Sequence, residues 1–180
     1  MGLTVADSYY LKAKAAMGGF CSDWEEVCEA LNYALSYDEQ HCAALCLLGE
    51  IYGTHLSMPD KAFECFDKVI AIDTNYEAVY PMYIKQLICN KKIDRAGKLI
   101  HFAETLDTID KAQMYWLSSF IEEIIGNYEA CLEDLKSAKK HCYNEDSFDF
   151  MVDEQKRIEK KMKLDRKKTP SKKRKKSKKN

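Results

Sequence analysis

Apolar residues recur at helical spacing along almost the whole chain, from Ser8 to about Leu164. The strict alternation of apolar and polar residues that marks a half-buried strand does not occur. Only three Pro and seven Gly interrupt the helical pattern, and Gly18-Gly19 is a turn signal. The pattern therefore predicts an all-α fold.

The helical pattern also repeats itself. When the segment LLGEIYGTHLSMPDKAFECFDKVIAID is aligned with the rest of the chain, similar residues return every 34 or 35 positions. One column of large side chains holds Leu11, Leu45, Tyr80 and Tyr115, and a column of mostly small ones holds Val27, Ala62, Ala96 and Cys131. Small residues let two helices cross closely, while large ones fill the space between neighbouring hairpins. The repeat predicts stacked helical hairpins that share one core.

These motifs resemble the tetratricopeptide repeat (TPR) family. The second copy carries Leu48-Gly49-x-x-Tyr52 and Ala62-x-x-x-Phe66, and the fourth carries the turn Gly126-Asn127-Tyr128-Glu129-Ala130. The resemblance implies a right-handed α-solenoid of about four hairpins over residues 8–145, with copies at about 8–41, 42–76, 77–110 and 111–145. Pro81 lies inside the third copy's first helix, where we expect a kink or a late start.

Two segments follow the repeats. Residues 146–166 carry apolar side chains on one side, with acids early and bases late, and predict a C-terminal helix that covers the open end of the last hairpin. Residues 167–180 contain no side chain suited to a core, so we expect a disordered tail. Its basic residues are Lys167, Lys168, Lys172, Lys173, Arg174, Lys175, Lys176, Lys178 and Lys179.

Charge is divided unevenly along the chain. Residues 1–155 hold 13 Lys/Arg and 27 Asp/Glu, a net of −14, whereas residues 156–180 hold 15 and 2, a net of +13. Such a tail neutralises phosphates without reading sequence, which favours contact with RNA, DNA or the ribosome. Three other uses stay open: binding to the chain's own acidic body or solubilising it, nuclear import, and contact with a membrane surface.

The residue pattern gives little sign of catalysis. His41-Cys42-x-x-x-Cys46 places two thiols beside an imidazole, but there is no Cys-x-x-Cys pair and no zinc-finger spacing among the eight Cys. A glycine-rich phosphate loop is also absent. We therefore expect no enzyme activity, no metal and no cofactor. Without a secretory signal or an apolar run long enough for a bilayer, we expect reduced thiols, no membrane insertion and a cytoplasmic location.

Binding is the function that the resemblance implies. In the TPR family the first helices of the hairpins line a concave groove, and the corresponding residues here are Tyr9, Lys12, Cys46, Glu50, Lys85, Trp116, Phe120 and Glu123. Trp116 either anchors a partner or packs under the C-terminal helix. The first hypothesis is a non-catalytic scaffold that binds a peptide or helix of another protein in this groove. The alternative is an RNA- or ribosome-associated factor that uses the tail. Neither hypothesis sets an oligomeric state.

Overall fold

The computed structural model describes residues 2–18 and 23–168, with the backbone alone for residues 166–168. Within these ranges there are nine α-helices and no strand, which confirms the all-α prediction. The helices are α1 (Val5–Ala16), α2 (Trp24–Tyr37), α3 (Cys42–Thr54), α4 (Pro59–Ile72), α5 (Val79–Cys89), α6 (Ile93–Ala103), α7 (Lys111–Ile125), α8 (Tyr128–His141) and α9 (Glu145–Lys168).

The helices belong to two compact units. Unit 1, Met1–Asp110, contains α1 to α6, and unit 2, Lys111–Asn180, contains α7 to α9. Consecutive helices pair as hairpins, α1 with α2, α3 with α4, α5 with α6 and α7 with α8. The connections between α5 and α6 and between α7 and α8 are only two or three residues long, as expected for antiparallel neighbours.

Side-chain caps define where the early helices of unit 1 begin. Thr4 and Asp7 form a reciprocal capping box at the start of α1. At the start of α3, the His41 Nδ1 atom accepts a hydrogen bond from the Ala44 backbone N–H at 3.1 Å. The other ring nitrogen of His41 lies 3.1 Å from Asp7 Oδ1, and its ring lies 5.4 Å from that of Tyr10. One imidazole therefore caps the second hairpin and joins it to the first.

Two glycines let α3 approach its neighbours closely. A Cβ atom on Gly49 would lie 2.8 Å from the ring of Phe66 on α4, and one on Gly53 would lie 2.4 Å from the side chain of Gln86 on α5. Phe66 is fully buried and Gln86 nearly so. The small position of the Leu-Gly-x-x-Tyr motif thus marks a helix crossing, as inferred from the repeat.

The third hairpin begins late, which is one of the two outcomes expected for Pro81. Helix α5 starts at Val79, so Pro81 falls in the first turn, where a backbone N–H has no partner inside the helix.

An ion pair links α4 and α6, the helices before and after α5 in the chain. The Asp67 carboxylate on α4 accepts hydrogen bonds from Arg95 on α6, at 2.6 and 2.9 Å, and from the Tyr83 hydroxyl at 2.7 Å.

In unit 2, α9 packs mainly on α8. Its Ile158 lies against Cys131 and Leu135, and Met151 lies against Ala112 and Ala138. This packing leaves α9 in the covering position expected of a C-terminal helix.

An ion-pair cluster fastens α9 to α7. Arg157 donates to both oxygens of Glu123, at 2.5 and 2.7 Å, and Lys161 donates to the same carboxylate. Arg157 also donates to Glu154 within α9. The hydrogen bonds from Arg157 lower the pKa of Glu123 to about 2, against the opposing effect of burial.

A pair of Gly→Ala substitutions tests the close approach of α3. Gly49→Ala should lower the free energy of unfolding of unit 1 by about 1–3 kcal/mol, because the new methyl group collides with the buried Phe66 ring. Gly97→Ala on α6 is the control, since nothing lies within 4 Å of its Cβ position, and it should raise stability by about 0.5–1 kcal/mol. Urea unfolding followed by circular dichroism measures both. Equal stabilisation by the two changes would contradict the packing.

A second prediction concerns acid stability. The pKa of Glu123 is about 2 in the folded chain, below its ordinary value of 4.5. Its contribution to stability is therefore complete above about pH 4.5 and is lost as the pH falls towards 2. Glu123→Gln should remove that contribution at neutral pH and flatten the pH dependence in this window.

Trp116 fluorescence in a Trp24→Phe background reports on unit 2, because Trp116 contacts α9. Glu133→Gln changes an exposed carboxylate of α8 and serves as the control. The control should show the same dependence of stability on pH as the wild-type chain. If Glu123→Gln also shows the wild-type dependence, the Glu123 ion pairs have no structural role.

Candidate functional site

Three tyrosines stack on the surface of the first hairpin. The Tyr9 ring on α1 lies 5.4 Å from that of Tyr33 and 5.8 Å from that of Tyr37, with interplanar angles of 24° and 11°. Tyr33 and Tyr37 are four residues apart, which places both on one face of α2. Their side chains remain 49% and 62% exposed. The stack is thus ordered by ring contacts while two of its members stay open to solvent.

Two concave regions adjoin this stack, and they share Glu29 and Tyr33. One, of ≈ 300 Å³, is lined by Tyr9, Lys12, Glu26, Glu29, Ala30 and Tyr33. The other, of ≈ 500 Å³, is lined by Glu25, Cys28, Glu29, Asn32, Tyr33 and Ser36. We call the six residues Tyr9, Tyr33, Tyr37, Glu25, Glu26 and Glu29 the tyrosine–carboxylate surface.

Tyr9 lies on the side of α1 that faces away from the second hairpin. On α1, Asp7 and Tyr10 contact His41 at the start of α3. Because an α-helix has about 3.6 residues per turn, Tyr9 and Lys12 lie on roughly the opposite side of α1. Tyr9 and Lys12 were expected in the concave groove. In the structure they lie beside α2, and their place in a groove stays a prediction.

The surface is predominantly acidic. Its two concave regions contain three carboxylates and one ammonium group, that of Lys12. None of the three glutamates forms an ion pair with any residue in the part of the chain that the structure describes. Glu25 and Glu26 lie in the first turn of α2, where the helix dipole favours negative charge. Glu29 lies a turn further along.

The remaining groove residues predicted in unit 1 have different surroundings. Cys46 is only 3% exposed, and burial raises the pKa of its thiol to about 12. It therefore packs as a small apolar residue and is not presented to a partner. Glu50 is half-buried on α3, and Lys85 is exposed on α5.

In the His41-Cys42-x-x-x-Cys46 cluster, His41 and Cys46 have structural roles. Both ring nitrogens of His41 already have hydrogen-bond partners, in Ala44 and Asp7. The raised pKa of Cys46 keeps its thiol protonated near neutral pH, which disfavours both nucleophilic attack and metal binding. Among the described residues, no three His, Cys, Asp or Glu side chains are grouped closely enough to hold a metal ion.

In unit 2, Trp116 packs under α9, which is one of the two roles considered for it. Its ring lies edge-on to Phe120 at 5.5 Å and to Phe150 at 5.8 Å. The indole N–H is buried without a hydrogen-bond partner among the described residues. Phe120 is 36% exposed. Glu123 is held by Arg157 and Lys161, so its carboxylate is already engaged.

The basic tail is only partly within the described residues. Lys167 and Lys168 form the end of α9, which continues two residues into the segment predicted to be disordered. The other predicted nucleic-acid contacts, from Lys172 to Lys179, lie outside the described residues. No helix in the described ranges combines the length and apolar character needed to cross a bilayer.

The spacing of tyrosines and glutamates in α2 could have indicated this surface, but the groove pattern does not include α2. Tyr33 and Tyr37 are four residues apart, and Glu26 and Glu29 precede Tyr33 by seven and four residues. That spacing puts all four on one side of α2. The groove pattern takes residues from the first helix of each hairpin only, so it omits α2.

Comparisons with known proteins identify the fold. No protein-family model matches the sequence, and no curated protein matches it. A crystal structure of MamA, a TPR-like protein, is 16% identical to this chain, with 93% of this chain and 99% of that chain aligned and a TM-score of 0.59. A second structure, of MamA protein, is 16% identical, with 92% and 96% aligned and a TM-score of 0.63. The MamA RS-1 ArsTM double mutant is 17% identical, with 92% and 98% aligned and a TM-score of 0.65. These similarities confirm the prediction that the chain has a TPR-like helical-hairpin fold.

Proposed function

We propose that the protein is a non-catalytic scaffold that binds a peptide or helix of another protein. The observation that carries this proposal is the tyrosine–carboxylate surface. It combines half-exposed aromatic rings with carboxylates that form no ion pair with any described residue, beside concave regions of ≈ 300 and ≈ 500 Å³. Tyrosines are enriched where proteins meet, because a rigid ring supplies contact area at a small entropic cost.

The scaffold supplies rigidity rather than chemistry. Ring stacking and the packing of Ala30 hold the surface in place, so little conformational entropy is lost when a partner docks. The residues with the best potential for catalysis, His41 and Cys46, serve the cap and the core. This supports binding over catalysis.

The groove predicted along the first helices remains a second place for a partner within the same proposal. Within unit 1 this groove keeps Glu50 and the exposed Lys85. Lys85→Glu therefore separates the two surfaces, because Lys85 does not belong to the tyrosine–carboxylate surface.

The RNA- or ribosome-associated role is the alternative, and it depends on the basic tail. Lys/Arg contacts with phosphates weaken steeply as salt rises and disappear when the nucleic acid is digested. A protein partner survives nuclease treatment, whatever the salt dependence of its binding. Nuclease treatment and a chain ending at Lys168 therefore distinguish the two functions.

Photocrosslinking tests the proposed function. A benzophenone amino acid at position 33 of the full chain should crosslink a discrete protein in native lysate, with or without nuclease. The same amino acid at position 143 is the control, since Tyr143 is 97% exposed and lies in unit 2. Tyr9→Ala should reduce the crosslink at position 33 several-fold by removing the ring that orders the stack.

Three outcomes would contradict partner binding at the tyrosine–carboxylate surface. Equal crosslinking at positions 33 and 143 would mean that the surface has no selective partner. Loss of the partner with Lys85→Glu but not with Tyr9→Ala would move the site to the groove. Loss with nuclease or with the chain ending at Lys168 would favour the nucleic-acid role.

A further inference from the structure

Elsewhere in unit 1, an arginine side chain occupies a site made of aromatic rings and a carboxylate. The Arg95 guanidinium lies 5.0 Å from the centre of the Tyr83 ring and 6.0 Å from that of Phe63. It also forms hydrogen bonds with both oxygens of Asp67, at 2.6 and 2.9 Å. The fold thus holds one guanidinium between aromatic faces and a carboxylate, which is the arrangement that suits arginine best.

The tyrosine–carboxylate surface also has an aromatic ring beside a carboxylate, but no described arginine or lysine lies over its Tyr33 or Tyr37 ring. Tyr33 is half exposed and lines both concave regions together with Glu29. Glu29 lies one helical turn before Tyr33 on the same face of α2, so ring and carboxylate are neighbours. No described residue places a cation over Tyr33 or Tyr37, whereas Tyr10 and Tyr52 have Lys14 and Lys61 at 5.7 and 5.3 Å.

We propose that the tyrosine–carboxylate surface binds an arginine-rich segment of a partner protein. A guanidinium lies over the ring of Tyr33 or Tyr37 and pairs with Glu29, and neighbouring basic residues pair with Glu26 and Glu25. The charge of the surface supports this occupant, since three carboxylates face one ammonium group. The inference rests on the proposed scaffold function and specifies the chemistry of its partner.

Lys12 gives the proposal a sharp consequence. Its ammonium group lines the same concave region as Glu26 and Glu29, so it repels an incoming guanidinium. Lys12→Ala should therefore tighten binding of an arginine-rich peptide by about 2- to 5-fold, as expected for one exposed charge pair. If the surface takes an acidic partner, the same substitution weakens binding.

Fluorescence anisotropy with the full chain tests the proposal. The probe is a labelled arginine-rich peptide, and the control peptide carries citrulline in place of every arginine, which removes charge at constant shape. We expect the citrulline peptide to bind at least about tenfold more weakly, because it loses several cation–π and ion-pair contacts. Equal affinity of the two peptides would overturn the proposed chemistry.

Substitutions at position 33 separate a cation–π contact from simple apolar burial. Tyr33→Phe keeps the aromatic face and should leave peptide affinity within about twofold, whereas Tyr33→Leu should lower it by about 2- to 5-fold. Glu29→Gln should lower it by a similar factor, and Glu64→Gln, at an exposed position of α4, is the matched control. Equal binding by the Phe and Leu variants, or equal loss with Glu64→Gln, would overturn the proposal.

Two further measurements exclude other occupants. Stronger peptide binding after Gln replaces the five basic residues 172–176 would assign the surface to the chain's own tail and overturn an external partner. A concentration-dependent dimer that Tyr33→Leu disperses, measured by sedimentation equilibrium, would assign it to a second copy, with the same consequence. Failure of the citrulline comparison leaves the scaffold function standing if position 33 still crosslinks a protein, whereas loss of that crosslink removes the scaffold function itself.

Discussion

The close approach of α3 to α4 and α5 is the constraint on which unit 1 depends. A Cβ atom at Gly49 would lie 2.8 Å from the Phe66 ring, and one at Gly53 would lie 2.4 Å from the end of the Gln86 side chain, so a larger residue at either point would force that neighbour to move. A helix that sits this close to its neighbours fixes their separation, because packed cores adjust poorly to added volume. The aliphatic and aromatic side chains around it are then buried almost completely.

Besides the pairs within α9, ion pairs and a histidine–carboxylate hydrogen bond among the described residues join helices that are distant in sequence. Asp67 and Arg95 link α4 with α6, Glu123 and Arg157 link α7 with α9, and Asp7 meets His41 between α1 and α3. Each contact ties together two helices through residues that lie at least 28 positions apart in the sequence. Glu25, Glu26 and Glu29 of α2 form no such pair with any residue that the structure describes.

The fold was more accessible from sequence than the site. Repeat spacing and the Leu-Gly-x-x-Tyr motif act locally, so they predicted the hairpins, and Pro81 predicted a kink or a late start, of which α5 shows the late start. The partners of Glu123 lie 34 and 38 residues away, and no local pattern indicates them. The burial of Cys46 likewise depends on how two hairpins meet. A groove pattern borrowed from the first helices could not indicate that Tyr9 stacks on α2.

The two hydrogen bonds of His41 have a consequence for its proton. Its Nδ1 atom accepts from the Ala44 N–H, so the ring hydrogen must sit on Nε2, which then donates to Asp7. A single tautomer is thereby selected, and the imidazole behaves as a directional connector with an accepting end and a donating end. Asparagine supplies the cap but does not extend to Asp7, and lysine extends but offers no acceptor. Positions 7 and 41 are therefore coupled, so a change at either one disturbs the start of two helices at once.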